Sequence, residues 1–166
     1  KDERAALPER RSLPLPLRPE GKRYYADPVL IVQVHQAEQL TPELAQLCPA
    51  YVYVPVEILD TDFPRVAPFL EQGAQVVAVL PRVITDDQAE DMHAMLSRAA
   101  ENGVREALVG NMGHIFFARR AGMRVRGDFG LNVFNSYTEG VLQQAGLVSA
   151  TASFELRVAQ IRDLAK

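Results

Sequence analysis

Six short apolar segments, rich in β-branched residues, recur along the chain from residue 29 onward. Each is followed by polar or turn-forming residues and then by a stretch whose apolar positions recur with the period of a helix. The pattern therefore predicts six strands that alternate with helices. The segments, which start near residues 30, 51, 76, 106, 124 and 148, are LIVQV, YVYVPV, VVAVL, EALVG, RVRGD and VSATA.

Residues at the ends of the helical stretches support this alternation. Thr41 and Asp62 each precede a first turn that contains proline, so both are predicted N-caps. Ser153 is the predicted cap of the last helix. Several helical stretches end on a glycine, as expected for C-caps, at Gly73, Gly103, Gly122 and Gly146.

Short strands that alternate with helices predict an α/β fold with parallel strands and right-handed crossovers. The repeat averages about 23 residues, close to the unit of a (β/α)8 barrel, which places eight units in ~250 residues. We therefore expect six (β/α) units of a partial or incomplete TIM-like barrel, with an open sheet as the alternative.

Residues 1–28 differ in composition from the rest of the chain. They hold seven basic residues, five acidic residues and five prolines, and this proline spacing disfavours a helix. We expect an extended N-terminal arm or linker from a preceding domain, followed by a barrel-like domain over residues 29–166. Because the chain begins with Lys1, we also expect it to be a piece of a longer protein.

The composition limits the classes of reaction and of binding partner that the chain can support. The chain is 48% hydrophobic and 23% charged, which is typical of a globular domain. The net charge of −3 argues against strong nonspecific binding of nucleic acid, and no apolar run is long enough to cross a membrane. Cys48, the single cysteine, cannot form an internal disulfide and is expected to be buried. Lysine is absent between Lys22 and Lys166, which excludes Schiff-base chemistry from the body of the domain.

Polar side chains follow the predicted strands, where the carboxyl ends of parallel strands form the ligand-binding face. Histidine, carboxylate, arginine and amide groups at one rim could bind a polar, anionic molecule or polarise a carbonyl group. Each of these residues could instead have a purely structural role, such as capping a turn. No spacing typical of a metal site is present, and we expect no metal. The candidate ligand-binding residues are His35, Glu57, Arg82, Asn111, Asp128, Asn132, Asn135 and Glu155.

Residues 124–166 resemble peptidase family U32, the collagenase-like proteins. The family pattern has a strand that ends near an aspartate, an LNVxNS turn, a helix that ends in glycine, and a strand and helix unit of the form SxELxxxQIxxL. The resemblance extends more weakly back to Val29, through LPRVITDD and GVREALVGNMG. The matching residues are Asp128, Leu131, Asn132, Asn135, Ser136, Gly146, Ser153, Glu155, Leu156, Gln160 and Ile161.

This resemblance implies a cytoplasmic bacterial protein and the C-terminal barrel-like region of a long family member. Family members are named as proteases, and relatives hydroxylate RNA bases or quinone precursors with a cysteine-bound iron–sulfur cluster. With Cys48 alone, this chain departs from the cluster-binding pattern. We therefore expect no cofactor in this chain, and any iron–sulfur cluster would lie elsewhere in the parent protein.

Three functions remain open at this point. The leading hypothesis is a substrate-positioning domain, catalytically incomplete alone, whose partners are other domains of the parent chain and a peptide or RNA substrate. The second is a metal-independent hydrolase in which Glu57, Asp128 or Glu155 activates water. The third is a noncatalytic scaffold. In each case the unpaired edges of a six-stranded sheet could also support a homodimer.

Overall fold

The computed structural model describes residues 28–164, so the predicted N-terminal arm lies outside the described residues apart from Pro28. Within that range one six-stranded sheet is combined with seven α-helices. The strands are β1 (Ile31–Gln33), β2 (Tyr51–Pro55), β3 (Gln75–Val79), β4 (Glu106–Val109), β5 (Arg124–Gly127) and β6 (Leu147–Ala150). The helices are α1 (Pro42–Gln46), α2 (Val56–Thr61), α3 (Phe63–Glu71), α4 (Ala89–Glu101), α5 (His114–Arg120), α6 (Ser136–Gln144) and α7 (Val158–Leu164).

All neighbouring strands are parallel, and their order in the sheet is the order of the sequence. Crossovers between parallel strands are right-handed in nearly all proteins, so a consecutive order places the helices on one face of the sheet. A doubly wound sheet would reverse its strand order at a switch point, and this sheet does not. The predicted α/β fold of six barrel-like units is confirmed.

The hydrophobic core lies between the helices and the outer face of the sheet. Alternate strand residues such as Val54 and Ala78 are fully buried there. Helix residues with the matching period, including Leu59, Phe69 and Leu96, cover them. The alternation of apolar residues along each strand therefore places the intervening strand residues on the opposite, inner face of the sheet.

The inner face of the sheet combines buried apolar side chains, Val77 and Leu108, with polar side chains at positions where barrels usually have branched apolar ones. Tyr51 and Tyr53 of β2 point to this face, as do Glu106 of β4 and the two arginines of β5. Tyr51 reaches Arg126 across two intervening strands, with 3.1 Å between its hydroxyl oxygen and Nη2 of Arg126. The sheet therefore curves, and its inner face is concave.

Capping chemistry explains where the elements begin and end. The Thr41 hydroxyl accepts a hydrogen bond from the amide of Leu44, so its predicted role is confirmed. Gly73 ends α3 with a φ of 89°, a conformation that favours glycine. Asp62 occupies the N-cap position of α3, but its carboxylate pairs with Arg65 at 2.9 Å and makes no cap hydrogen bond.

Two predictions about single residues are wrong. Ser153 does not cap the last helix, because α7 begins at Val158 and the Ser153 hydroxyl instead accepts a hydrogen bond from the amide of Glu155. Cys48 is exposed rather than buried, because it lies in the turn after α1 with a φ of 49°. Among residues 28–164, no helix has the length and apolar character needed to span a bilayer.

Candidate functional site

The turn after β5 is the most elaborate part of the carboxyl edge of the sheet. The Asp128 carboxylate accepts a hydrogen bond from the amide of Phe129 at 2.8 Å, which starts a short 3-10 turn. Gly130 lies against the carbonyl oxygen of Gly110, so that an added Cβ would be 2.5 Å from this oxygen. The turn of β5 is thereby held against the end of β4.

Asn132 ends this turn in the left-handed conformation, with φ 51° and ψ 56°. Asparagine tolerates this conformation better than most residues, although it still carries some strain. Its exposed side chain has no hydrogen-bond partner within residues 28–164. The amide group is therefore available to a ligand.

Two other predicted asparagines are used by the backbone. Asn135 is the N-cap of α6, and its Oδ1 accepts hydrogen bonds from the amides of Tyr137 and Thr138. Asn111 accepts a hydrogen bond from the amide of Gly113 at 2.9 Å. Both oxygens hold local turns, so these residues shape the rim rather than offering free acceptors.

The remaining predicted residues are spread along the same edge. His35 is exposed after β1, and its backbone amide donates to the side chain of Gln39 at 2.7 Å. Glu57 lies in the first turn of α2 rather than in a loop, because β2 ends at Pro55. Glu155 is exposed in the segment after β6. In the part of the chain that the structure describes, no hydrogen bond or ion pair joins any two of the eight candidates.

Arg82, which follows β3, does, however, contact a pair of aromatic side chains that follow β5 and β6. Its guanidinium carbon lies 5.6 Å from the ring centroid of Phe129, which is within cation–π range. The Phe129 and Phe154 rings meet edge to face, with their centroids 6.0 Å apart. Phe129 is 41% exposed and Phe154 is 80% exposed. We refer to Arg82, Phe129 and Phe154 as the rim stack.

A second group of polar side chains lies on the inner face, nearer the amino ends of the strands. Glu106 is buried, and its two carboxylate oxygens accept hydrogen bonds from Nη2 of Arg124 and Nε of Arg126. Arg126 also donates to the hydroxyls of Ser149 and Tyr51, and it lies over the Tyr51 ring at 4.6 Å. We refer to Tyr51, Glu106, Arg124 and Arg126 as the inner-face cluster.

The surroundings of this cluster favour charged arginine and neutral tyrosine. Burial by itself lowers the pKa of Arg126, but the hydrogen bond and negative charge of Glu106 outweigh it, so the pKa is raised above its usual value. Burial is also the main cause that raises the pKa of Tyr53 above its usual value. At neutral pH the inner face therefore presents guanidinium and phenol donors.

Sequence reasoning missed both groups. The inner-face cluster had a signal in the alternation of YVY in β2 and RVR in β5, which places pairs of polar residues on one side of a buried sheet. The sequence signal for the rim stack was weaker. Phe129 and Phe154 both follow strand ends, but 25 positions separate them in the sequence. Only a structure places them in contact.

Among residues 28–164, no group of three or more histidine, cysteine or acidic side chains is arranged to hold a metal ion. In comparisons with known proteins, no family profile matches the chain, and no curated protein sequence matches it significantly.

Proposed function

We propose that the chain is a substrate-positioning domain of a larger protein related to peptidase family U32, and that its rim binds unstacked RNA bases. The bond-making chemistry belongs to another part of the parent protein. In this proposal the chain has no turnover of its own.

The observation that carries the proposal is the rim stack. Exposed aromatic faces bind nucleobases by stacking, a contact worth about 1–3 kcal/mol per base. Arg82 lies over one face of the Phe129 ring and adds a positive charge that can meet a phosphate group of the same RNA strand. Phe154 would otherwise leave a large apolar ring in water, since it is 80% exposed.

The amide of Asn132 complements this stack. It ends the same turn that begins at Phe129, and neither its donor nor its acceptor has a partner within residues 28–164, so both can meet the polar edge of a base. A neutral amide can form hydrogen bonds with such an edge without the desolvation cost of a charged group.

The arrangement of the carboxylates supports a positioning role over the hydrolase alternative. Asp128 uses one oxygen to hold the Phe129 amide. Glu57 and Glu155 are exposed at the ends of different strands, and neither pairs with Asp128 within residues 28–164. General acid–base catalysis favours carboxyl groups that a shared environment holds at different pKa values.

Two assays on the 166-residue chain test the proposal. The first measures fluorescence anisotropy of a labelled single-stranded oligoribonucleotide, where Phe154→Ala should weaken binding by about fivefold or more. Phe116→Ala is the matched control, because Phe116 is 65% exposed on α5 and contacts Phe117 instead of the rim stack. Equal affinity of the two variants would defeat the proposal.

The second assay measures release of fluorescent peptides from labelled gelatin. The proposal expects no turnover. Robust turnover that is abolished by Glu155→Gln or Asp128→Asn would establish the hydrolase instead.

We further propose that the edges of the sheet pair with a second copy of the chain. The edge strands β1 and β6 leave Ile31 and Val148 about half exposed, at 49% and 51%. Light scattering on the 166-residue chain tests this, and we expect the mass of a dimer. A mass that stays monomeric as the protein concentration rises would contradict it.

A further inference from the structure

The inner-face cluster carries unequal charges. Two arginines share the single carboxylate of Glu106, so the three side chains together have a net charge of about +1 at neutral pH. Glu106 is 1% exposed, whereas the side chain of Arg124 is 62% exposed. The excess positive charge therefore reaches the concave surface at Arg124.

The two arginines of the cluster also differ in how many of their hydrogen-bond donors have an acceptor. Each nitrogen of the Arg126 guanidinium has a partner, namely Glu106, Ser149 and Tyr51. Arg124 donates from one nitrogen, and its remaining N–H groups have no acceptor within residues 28–164. Tyr51 accepts a hydrogen bond from Arg126, and its own O–H donates to no acceptor within residues 28–164.

We propose that the concave face holds a second binding site, in which Arg124 binds the phosphate or carboxylate group of a small molecule and Tyr51 donates a further hydrogen bond. The free groups at this position are donors, and a group with several acceptor oxygens matches them. The planar fork of arginine pairs with such oxyanions through two parallel hydrogen bonds.

This site is separate from the rim stack. Tyr51, Glu106 and Arg124 are the first residues of β2, β4 and β5, whereas Phe129 and Phe154 follow the opposite ends of β5 and β6. The two groups can therefore be tested independently. Loss of RNA binding at the rim would not remove oxyanion binding at Arg124.

The buried residues of the cluster hold the Arg124 side chain in an ordered conformation, unlike a surface arginine that moves freely. Glu106 fixes the guanidinium through a direct ion pair, and Arg126 fixes Glu106 from the other side. Ordering of the arginine before binding lowers the entropy lost when the oxyanion arrives.

The test is an NMR titration of the 166-residue chain with inorganic phosphate, and separately with acetate, at constant ionic strength and pH 7. The Nε–H signal of Arg124 should shift and saturate with at least one anion. Arg124→Gln should weaken this binding by about tenfold or more, and Tyr51→Phe by about fivefold. Arg120→Gln is the control, because Arg120 is exposed on α5, on the helix side of the sheet, and should leave the affinity unchanged.

Two results would overturn the proposal. One is the absence of a saturating shift with either anion. The other is equal loss in Arg124→Gln and Arg120→Gln, which would indicate diffuse attraction between charges. If Arg124→Gln does not fold, Arg124→Lys retains the charge without the fork, and its affinity should still fall severalfold.

Discussion

The phenolic oxygen of Tyr51 on β2 lies 3.1 Å from Nη2 of Arg126 on β5, although β3 and β4 lie between these strands. Neighbouring strands are about 4.8 Å apart, so in a flat sheet the two backbones would be separated by about 14 Å and their side chains would stand parallel. The contact therefore depends on the curvature of the sheet. It joins the two sides of the concave face.

Neutralisation of Glu106 should strongly destabilise the fold. Glu106→Gln keeps the shape of the side chain but leaves Arg126, which is 16% exposed, without its counter-charge. We expect a loss of about 3 kcal/mol in the free energy of unfolding, measured by urea denaturation. Asp60→Asn breaks the ion pair of Asp60 with Arg98 at 2.5 Å, in which the arginine is 52% exposed, and should cost much less. Similar losses in both variants would contradict this prediction.

Two glycine substitutions should have opposite effects. Gly130→Ala places a Cβ 2.5 Å from the carbonyl oxygen of Gly110, so the turn must move and about 2 kcal/mol of stability should be lost. Gly140→Ala lies within α6 with open space around it and should stabilise the protein by about 0.5–1 kcal/mol. Thermal denaturation of both variants measures the difference. A neutral Gly130→Ala would mean that the β4 and β5 turns are not in close contact.

Substitutions at the two asparagines of the β5 turn should affect different properties, namely stability at Asn135 and RNA binding at Asn132. Asn135→Ala removes the cap of α6 and should cost about 1 kcal/mol, whereas Asn135→Asp should retain most of it. Asn132→Gly relieves the left-handed strain, so stability should be kept while RNA affinity falls. Alanine is a poor probe at Asn132, because it is strained there. Unchanged RNA affinity in Asn132→Gly would reduce this residue to a turn former.

The pH dependence of stability should report on His114. This side chain is buried at the start of α5, and burial lowers its pKa below the usual value of 6.5. The unfolded chain therefore binds the proton more readily than the folded chain. The contribution of His114 to the free energy of unfolding should therefore be fully present above pH 6.5. It should be lost as the pH falls through the pKa of His114 in the folded chain.

Urea denaturation between pH 7.5 and pH 5.5 measures this loss. His114→Leu should reduce the decrease in stability over that window, because the leucine side chain does not titrate. An unchanged decrease in the variant would assign the effect to other groups.

The strand positions could be predicted because the apolar alternation that buries Val54 or Ala78 is local in sequence. The predicted cap at Thr41 is equally local, since its hydroxyl bonds the amide three residues later. The end of β2 was less predictable, because Val56 continues the apolar run but begins α2. The break between α2 and α3 falls at Asp62, two residues before Pro64 in the first turn of the next helix.

The site was predicted only as a set of strand ends. Arg82 was among them, but its aromatic neighbours follow β5 and β6, far away in sequence. The inner-face cluster likewise depends on curvature that brings β2 to β5, and curvature is a property of the whole sheet. The alternation of YVY in β2 and RVR in β5 indicates which side chains share a face, but the contacts between them arise from tertiary packing.

The most direct test of the proposed function is NMR chemical-shift mapping of the 166-residue chain during titration with a short single-stranded oligoribonucleotide. The largest changes should occur at the amides of Arg82, Phe129, Asn132 and Phe154, and Phe129→Ala should abolish them without loss of the folded spectrum. Changes confined to the helix-covered face, or no change at the rim with saturating RNA, would contradict the substrate-positioning account.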